Sequence, residues 1–388
     1  MSGDADGSQA LEERVRGCLV ERGATPEEVD AALRDGRIEL LALDCVALPG
    51  PARYTTADVA GQSGLPEGLA ERLWLALGFP SVGAGEPAFG DHDVAALVSL
   101  RQLMALGITD AGTSVQFARV IGSAMARVAD AEVSAQPQQR ASRAEQLAFA
   151  DLLLSEPDAF FAQMSALLGY VYRRHLHAAA RRAALADRVD AVGAVMTLTV
   201  GFADLVGYTA LSSQLSDEAL GYLVSRFEQL ARDAVTTGGG RVVKMIGDEV
   251  MFVVEDPAAA ARIALTLADV FADDDVLSDV RVGLACGPVL SQEGDYYGTV
   301  VNLASRLVNV AYPGTVVASQ AIHDALQDDP ELAWRSLRTR HLKDLGSLPL
   351  WVLYRAGEEP RSGRRRFRPL RTLLSEAGFQ RAERHPGA

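Results

Sequence analysis

Asp204 and Asp248 are the residues best placed to do chemistry. Asp204 stands in Phe202-Ala203-Asp204-Leu205-Val206-Gly207-Tyr208-Thr209, directly after the apolar run Val195–Gly201. Asp248 stands in Gly247-Asp248-Glu249, between the apolar runs 242–246 and 250–254. A polar tripeptide flanked by two hydrophobic runs predicts a hairpin, with Asp248 at its tip. An aspartate at an isolated tight turn usually serves only the backbone. Two carboxylates brought together are different, because they repel unless a cation lies between them. Hard oxygen donors of this kind suit magnesium or manganese, and a pair of such ions is a clamp for phosphate.

The intervening sequence predicts how the two are brought together. Ser216 caps a helix with Asp217 and Glu218 in its first turn and an apolar stripe of Leu220, Leu223, Val224, Phe227, Leu230 and Ala231; Thr236 to Gly240 stops it. The order is strand, helix, strand, strand. A strand-helix-strand crossover makes the first two strands parallel, and the hairpin returns the third between or beside them. The end of the first strand and the hairpin tip then share one edge of the sheet.

Length and composition set the frame. A chain of 388 residues, 48% of them hydrophobic, has room for two packed domains. A net charge of -14 and a pI near 5.0 argue against general affinity for nucleic acid or an anionic membrane. Cys18, Cys45 and Cys286 lack metal-ligand spacing and read as buried thiols in a reducing compartment. The polar, acidic start has no secretory pattern, and the longest apolar run, 191–203, is shorter than the roughly 18 residues a spanning helix needs. The expectation is a cytoplasmic protein without a transmembrane segment.

From residue 8 to about residue 190 the signals are helical. Ser8 is expected to cap one helix; Thr25-Pro26-Glu27-Glu28 opens another and Gly36 closes it. Residues 54–107 resemble the helix-turn-helix domain of MerR-type transcription regulators. Over residues 54–110, however, two arginines face seven acidic residues, so the cations that a DNA reader needs are missing and no nucleic-acid partner is expected. Residues 157–193 are expected to form a linker helix. Met164, Leu168, Val171, His175, Ala178, Arg182, Leu185, Val189 and Val192 follow alternating steps of four and three, the spacing of a coiled-coil seam. His175 on that seam, with His177 close by, is a candidate pH-responsive element, since imidazole changes charge between about pH 5 and 8. Residues 361–388 hold eight arginines and two glutamates; a solvated basic tail is expected, with contact to a membrane surface as the alternative.

Downstream of the hairpin, Asp256-Pro257 begins a helix, Val280, Val282 and Leu284 alternate as a strand, and a helix from about Thr299 to Ala311 precedes the strand 316–318. Further strands are expected around Leu342 and Leu350–Tyr354. The fold class is α+β, a C-terminal ferredoxin-like (βαββαβ) domain over 194–360 preceded by an all-α domain over 1–156.

Three segments together, FADLVGYT (202–209), KMIGDEVMF (244–252) and GDYYGTVVNLASRL (294–307), resemble the core motifs of class III nucleotidyl cyclases. The resemblance covers residues 195–355. It implies conversion of ATP to 3',5'-cyclic AMP and pyrophosphate, with Asp204 and Asp248 holding two Mg2+ or Mn2+ ions and Leu205 in the same metal site. By the same resemblance Asn302 orients the ribose, Arg306 stabilises the transition state, and Lys244 and Asp295 read the base. Lysine donates to an adenine ring nitrogen and aspartate accepts from its 6-amino group, which favours ATP over GTP. Lys343 would bind terminal phosphates. In the family the metal ligands and the remaining groups come from different subunits, which implies a homodimer with two equivalent sites. The connection 288–295 is short for the dimerisation arm of many relatives. The helical half further resembles the regulatory half of pH-regulated bacterial adenylyl cyclases, which implies control of catalysis by that half. A nucleotide-sensing transcription regulator is the alternative reading. A diguanylate-type enzyme is opposed by Lys244, Asp295 and the lack of a GGDEF-like run.

Overall fold

The computed structural model describes residues 2–48, 50–83, 85–135, 142–185, 194–342 and 346–359. It divides into two compact units, residues 1–182 and 183–388. Lys343 and the basic tail lie outside the described residues.

The first unit is helical: α1 (Ser2–Glu21), α2 (Pro26–Arg34), α3 (Ile38–Ala47), α4 (Thr56–Ser63), α5 (Glu67–Ala76), α6 (Asp91–Ala105), α7 (Ala111–Ala135), α8 (Arg143–Ser155) and α9 (Pro157–Leu185). Two apolar clusters organise it. Val15, Leu19, Val29, Ile38, Leu147 and Leu154 hold α1, α2, α3 and α8 together, and Val59, Leu69, Leu73, Phe89 and Leu97 join α4, α5 and α6. Arg14 makes a two-pronged ion pair to Asp151, at 2.7 and 2.6 Å, between α1 and α8.

Local signals explain most boundaries. Thr25 and Glu28 form the expected reciprocal cap of α2, and Thr55 with Asp58 does the same for α4. Ser8 is a correction: α1 begins at Ser2, so Ser8 lies inside the helix. Helices α4 and α5 stand in the expected order with a turn at Gly64, and Arg53 pairs with Asp91 beside them.

The second unit is an eight-stranded sheet with helices on both faces. Its elements are β1 (Ala194–Leu205), α10 (Tyr208–Ser212), α11 (Asp217–Thr237), β2 (Arg241–Ile246), β3 (Glu249–Val254), α12 (Pro257–Asp273), β4 (Val280–Gln292), β5 (Asp295–Tyr297), α13 (Thr299–Val310), β6 (Val316–Ser319), α14 (Gln320–Leu326), β7 (Leu332–Leu342) and β8 (Gly346–Arg355). The order β2-β3-β1-β4-β6-β8-β7, with β5 on β4, contains the ferredoxin-like βαββαβ core in its first part. Strand β3 lies between β1 and β2 and runs antiparallel to both. β4 is antiparallel to β1 and parallel to β6.

Two corrections follow from pairing. The apolar run ends at Gly201, yet β1 continues to Leu205, because β3 and β4 satisfy its backbone on both sides to the end. Asp204 therefore sits in a strand, not in the loop after it. Asp295 likewise opens a short strand, since Gln292, Ser291 and Leu290 pair with 295–297 across the turn at Glu293-Gly294.

Alternation along the strands sorts the two faces. Ala203, Leu205, Val250, Phe252, Val282 and Leu284 pack beneath α11, α12 and α14. Phe202, Val200, Met251 and Ala285 face the other way, against Val300, Ala304, Leu307 and Val308 of α13. Gly283 is where α13 meets the sheet: a Cβ there would lie 2.5 Å from the Ala304 carbonyl oxygen and 2.7 Å from the Val308 nitrogen. The obstructing atoms are backbone and cannot rotate away. Gly283→Ala is expected to cost about 2 to 3 kcal/mol of stability, at the upper end for overpacked cores. Urea unfolding of the two proteins side by side reads that difference; equal midpoints would show that α13 is free to shift.

Candidate active site

The site is built on the face that carries α13. Asp204 lies between Ala203 and Leu205, which point the other way, so its side chain shares a face with Phe202. The antiparallel registers set Glu249 of β3 opposite Asp204 on one side and Arg281 of β4 opposite it on the other. Ile246 pairs with Glu249, leaving Gly247 and Asp248 as a two-residue turn, and the positive φ of 64° at Gly247 is a conformation that glycine adopts without strain. The Leu205 N–H donates to the Asp248 carbonyl oxygen at 3.0 Å, tying the turn to the end of β1. The two predicted metal ligands are therefore brought together.

The arginine in this cluster was not foreseen. An Arg281 Nη donates to Asp204 Oδ2 at 2.5 Å, and both side chains are mostly shielded from solvent. Its Nε is buried with no acceptor among the described residues. The available signal was a cation between Val280 and Val282 on an otherwise apolar strand, a place that demands an anionic partner.

Lys244 and Asp295, the pair expected to read the base, also meet. Lys244 Nζ stands 2.5 Å from Asp295 Oδ2, while Asp295 Oδ1 accepts from the Tyr296 N–H at 2.8 Å. Both acceptor atoms of the aspartate are thus held. Asn302 and Arg306 sit four residues apart on α13, whose buried side is Val300, Ala304, Leu307 and Val308, and both are exposed. The Asp204 cluster is held by Arg281 and the Lys244 pair by its own bond to Asp295. His175 and His177 are exposed on α9, as is Val171 of the predicted seam, while Met164, Leu168 and Ala178 of that seam are half-buried.

Comparison with known proteins agrees with the geometry. Residues 192–353 match the family described as the adenylate and guanylate cyclase catalytic domain. An adenylate cyclase of Streptomyces coelicolor is 37% identical over 312 residues, covering 78% of this chain and 77% of that one. The chain belongs to the class III adenylate and guanylate cyclase family. An adenylate cyclase of Glutamicibacter nicotianae is 31% identical over 388 residues, 91% of this chain and 96% of its own. A pH-sensitive adenylate cyclase of Mycobacterium tuberculosis is 39% identical over 170 residues, 43% of each chain.

Electrostatics decide whether cations fit the carboxylate cluster of the cyclase. Among the described residues no group of three or more histidine, cysteine, aspartate or glutamate side chains is arranged to hold a metal ion. Asp204 and Asp248 are a pair of hard oxygen donors, the type that suits magnesium or manganese. Three carboxylates, Asp204, Asp248 and Glu249, share one guanidinium. Burial, then Asp204 and Asp248, push Glu249 up to about 7, opposed only by Arg281. Asp248 is also raised, chiefly by burial. This surplus of negative charge fits divalent cations.

The sign of the resulting pH dependence is fixed. Folded Glu249 holds its proton to about pH 7, whereas its ordinary value is 4.5. Folding therefore takes up a proton in that window, so metal-free stability is highest below it, falls as pH rises through it, and is fully reduced above about 7. Glu249→Gln is expected to flatten this slope and to be the more stable protein at pH 8. Thermal unfolding in chelator from pH 5 to 8 checks it, parallel slopes for the two proteins being the contrary result.

Proposed function

We infer that the cyclase makes 3',5'-cyclic AMP and pyrophosphate from ATP at sites completed by a second copy of the chain, under control of its helical unit. The observation that carries this reading is the grouping of six matched residues on one side of the sheet: Asp204 with Asp248 in the adjoining turn, Lys244 with Asp295 on β2 and β5, and Asn302 with Arg306 outward on α13. The names of the full-length relatives support ATP as substrate. So does the hydrogen-bonding sense of a lysine and an aspartate, which complements adenine.

The reaction forms a bond from the ribose 3'-oxygen to the α-phosphorus, breaks the bond from that phosphorus to the bridging oxygen of pyrophosphate, and releases the hydroxyl proton. Asp204 and Asp248, with Leu205 beside them, would hold two Mg2+ or Mn2+ ions, which supply charge neutralisation on the phosphates and a lowered pKa for the hydroxyl. Arg281 keeps Asp204 aimed along the face and has an unused Nε donor for an anion. Lys244 and Asp295 bind the base edge. Asn302 orients the ribose, and Arg306 meets the charge that builds on the α-phosphate in the transition state. Lys343 is assigned to the terminal phosphates.

A second copy is invoked because Asn302 and Arg306 project away from their own sheet. Two-fold symmetry would give each site the carboxylates of one protomer and the α13 groups of its partner. Exposed Ile246 and Tyr297, next to the two halves, supply apolar surface for such an interface. No helix among the described residues is long and apolar enough to cross a membrane.

Control by pH is assigned to α9. His175 and His177 are in solvent in the described conformation. Docking the seam against a partner would desolvate His175 and oppose its charged form, so acidification favours an undocked helix.

Two measurements test this function. Asp204→Ala and Arg306→Ala chains, each lowered more than about a hundredfold in cyclic AMP formation, are expected to recover activity when mixed, because each heterodimer rebuilds one intact site. Heterodimers that form and stay inactive would remove the shared-site reading. His175→Ala in the full chain is expected to flatten the acid limb of the activity profile, in a direction that a chain beginning at Ala191 reproduces; a truncated chain with the wild-type profile places pH sensing in the catalytic groups.

A further inference from the structure

Arg241 opens β2 three residues before Lys244, and a regular strand would send the two side chains to opposite faces. The register says otherwise. Arg241 pairs with Val253 and Val242 with Phe252, but Lys244, not Val243, pairs with Met251. Val243 is the extra residue of a β-bulge, and the bulge resets the alternation. Val242 and Met245 pack on the α11 and α12 side, while Arg241 and Lys244 oppose Val253 and Met251 of the α13 side. Both long cations are thereby aimed at the same neighbour, the short strand β5.

There they hold successive residues. Lys244 takes Asp295, and an Arg241 Nη donates to the Tyr296 hydroxyl at 2.5 Å, its guanidinium carbon 5.2 Å from the ring centroid. Tyr296 is buried, packed with Phe202, Met251 and Val289. Its backbone N–H holds Asp295 Oδ1. Arg241 itself makes no ion pair among the described residues, so its anchor is a neutral phenol. A half-buried guanidinium without a counter-charge contributes little to stability by charge pairing. What it does is fix Tyr296, and through Tyr296 the aspartate.

The need for such an anchor lies in β5. It is three residues long, pairs only with the last residues of β4, and follows a turn in which Glu293 has a φ of 52°. A hairpin this short has little rigidity of its own. We propose that Arg241 is a positioning residue for adenine recognition: with the bulge at Val243 it locks Tyr296 so that Lys244 and Asp295 keep the separation that matches the base edge. The proposal rests on the assignment of those two residues to the base.

Steady-state kinetics of the full-length protein with Mn-ATP and Mn-GTP test it, using Arg241→Met, Arg241→Lys, Tyr296→Phe and the double variant Arg241→Met/Tyr296→Phe. Loss of the Arg241 bond is expected to raise KM for ATP about tenfold, with kcat within about twofold, and to cut the ATP-over-GTP ratio of kcat/KM about tenfold. Arg241→Lys, which still donates to the phenol, is expected to recover most of that ratio. Tyr296→Phe is expected to match Arg241→Met, and the double variant to be no worse than either, as two ends of one bond require. A packing defect alone would lower thermal stability and kcat without changing base preference, and the lysine variant would not rescue it. Unchanged base preference in both Arg241→Met and Tyr296→Phe, or additive losses in the double variant, overturns the proposal. Should Arg241→Met fail to fold, Tyr296→Phe, which loses one oxygen atom, decides alone. Lys244→Ala separates the two levels: if it leaves ATP preferred, the base assignment falls and the positioning role with it. If it abolishes the preference while the Arg241 and Tyr296 variants keep it, only the positioning role falls.

Discussion

Like charges packed at the end of a sheet constrain this catalytic unit more than any other single feature. Asp204 is flanked across the ladder by Glu249 and Arg281, with Asp248 in the adjoining turn. One guanidinium cannot neutralise three carboxylates, and the excess must be met by protons or by metal. The sheet keeps the groups close because β1 is paired to Asp204 by β3 and to Leu205 by β4. The folded ladder thus sustains a repulsion that an isolated hairpin would relieve by splaying. Stability and activity pull against each other here, as is usual where a fold holds a ligand site in readiness.

The layout of the catalytic unit follows from two faces with different duties. The α11, α12 and α14 side is closed and apolar, and supplies the packing that makes the other side affordable. The α13 side is apolar near the helix and polar at its margins, where Asp204, Lys244 and Arg306 stand. Every assigned catalytic group among the described residues belongs to this second face or to the turn at its edge. All of these except Asp248 stand on strands or on one helix, which hold position better than loops do.

Much of this was legible in the residues. The apolar runs around Asp204 and Asp248, the capped helix between them and the crossover rule sufficed to place both carboxylates on one edge, and the three motifs pointed to the family. What escaped depends on pairing rather than on local pattern. Residues 202–205 and 295–297 look like loop because polar and small residues interrupt them, and only their partners make them strands. The bulge at Val243 leaves no mark in an apolar run, yet it decides which way Arg241 points. Arg281 announces that it needs an anion, but only the register across the ladder shows that the anion is Asp204. Ser8 shows the converse: a good cap residue is only a preference, and α1 starts at Ser2 although the residues before Ser8 are mostly poor helix formers.

The contact at Gly283 governs how the cyclase can change over time. Because a Cβ there would strike the α13 main chain, the close seat of the helix depends on β4 carrying no side chain at that point, while Val300, Ala304, Leu307 and Val308 fill the rest of the contact. Residues on the outer surface of α13 can therefore be exchanged without altering where the helix sits. Chemistry and geometry become separable variables: substitutions at the exposed Asn302 or Arg306 alter the outer surface of the helix while the seat beneath it stays the same. A scaffold of this kind permits new activities to be sampled one residue at a time, with glycine as the one position that tolerates no experiment.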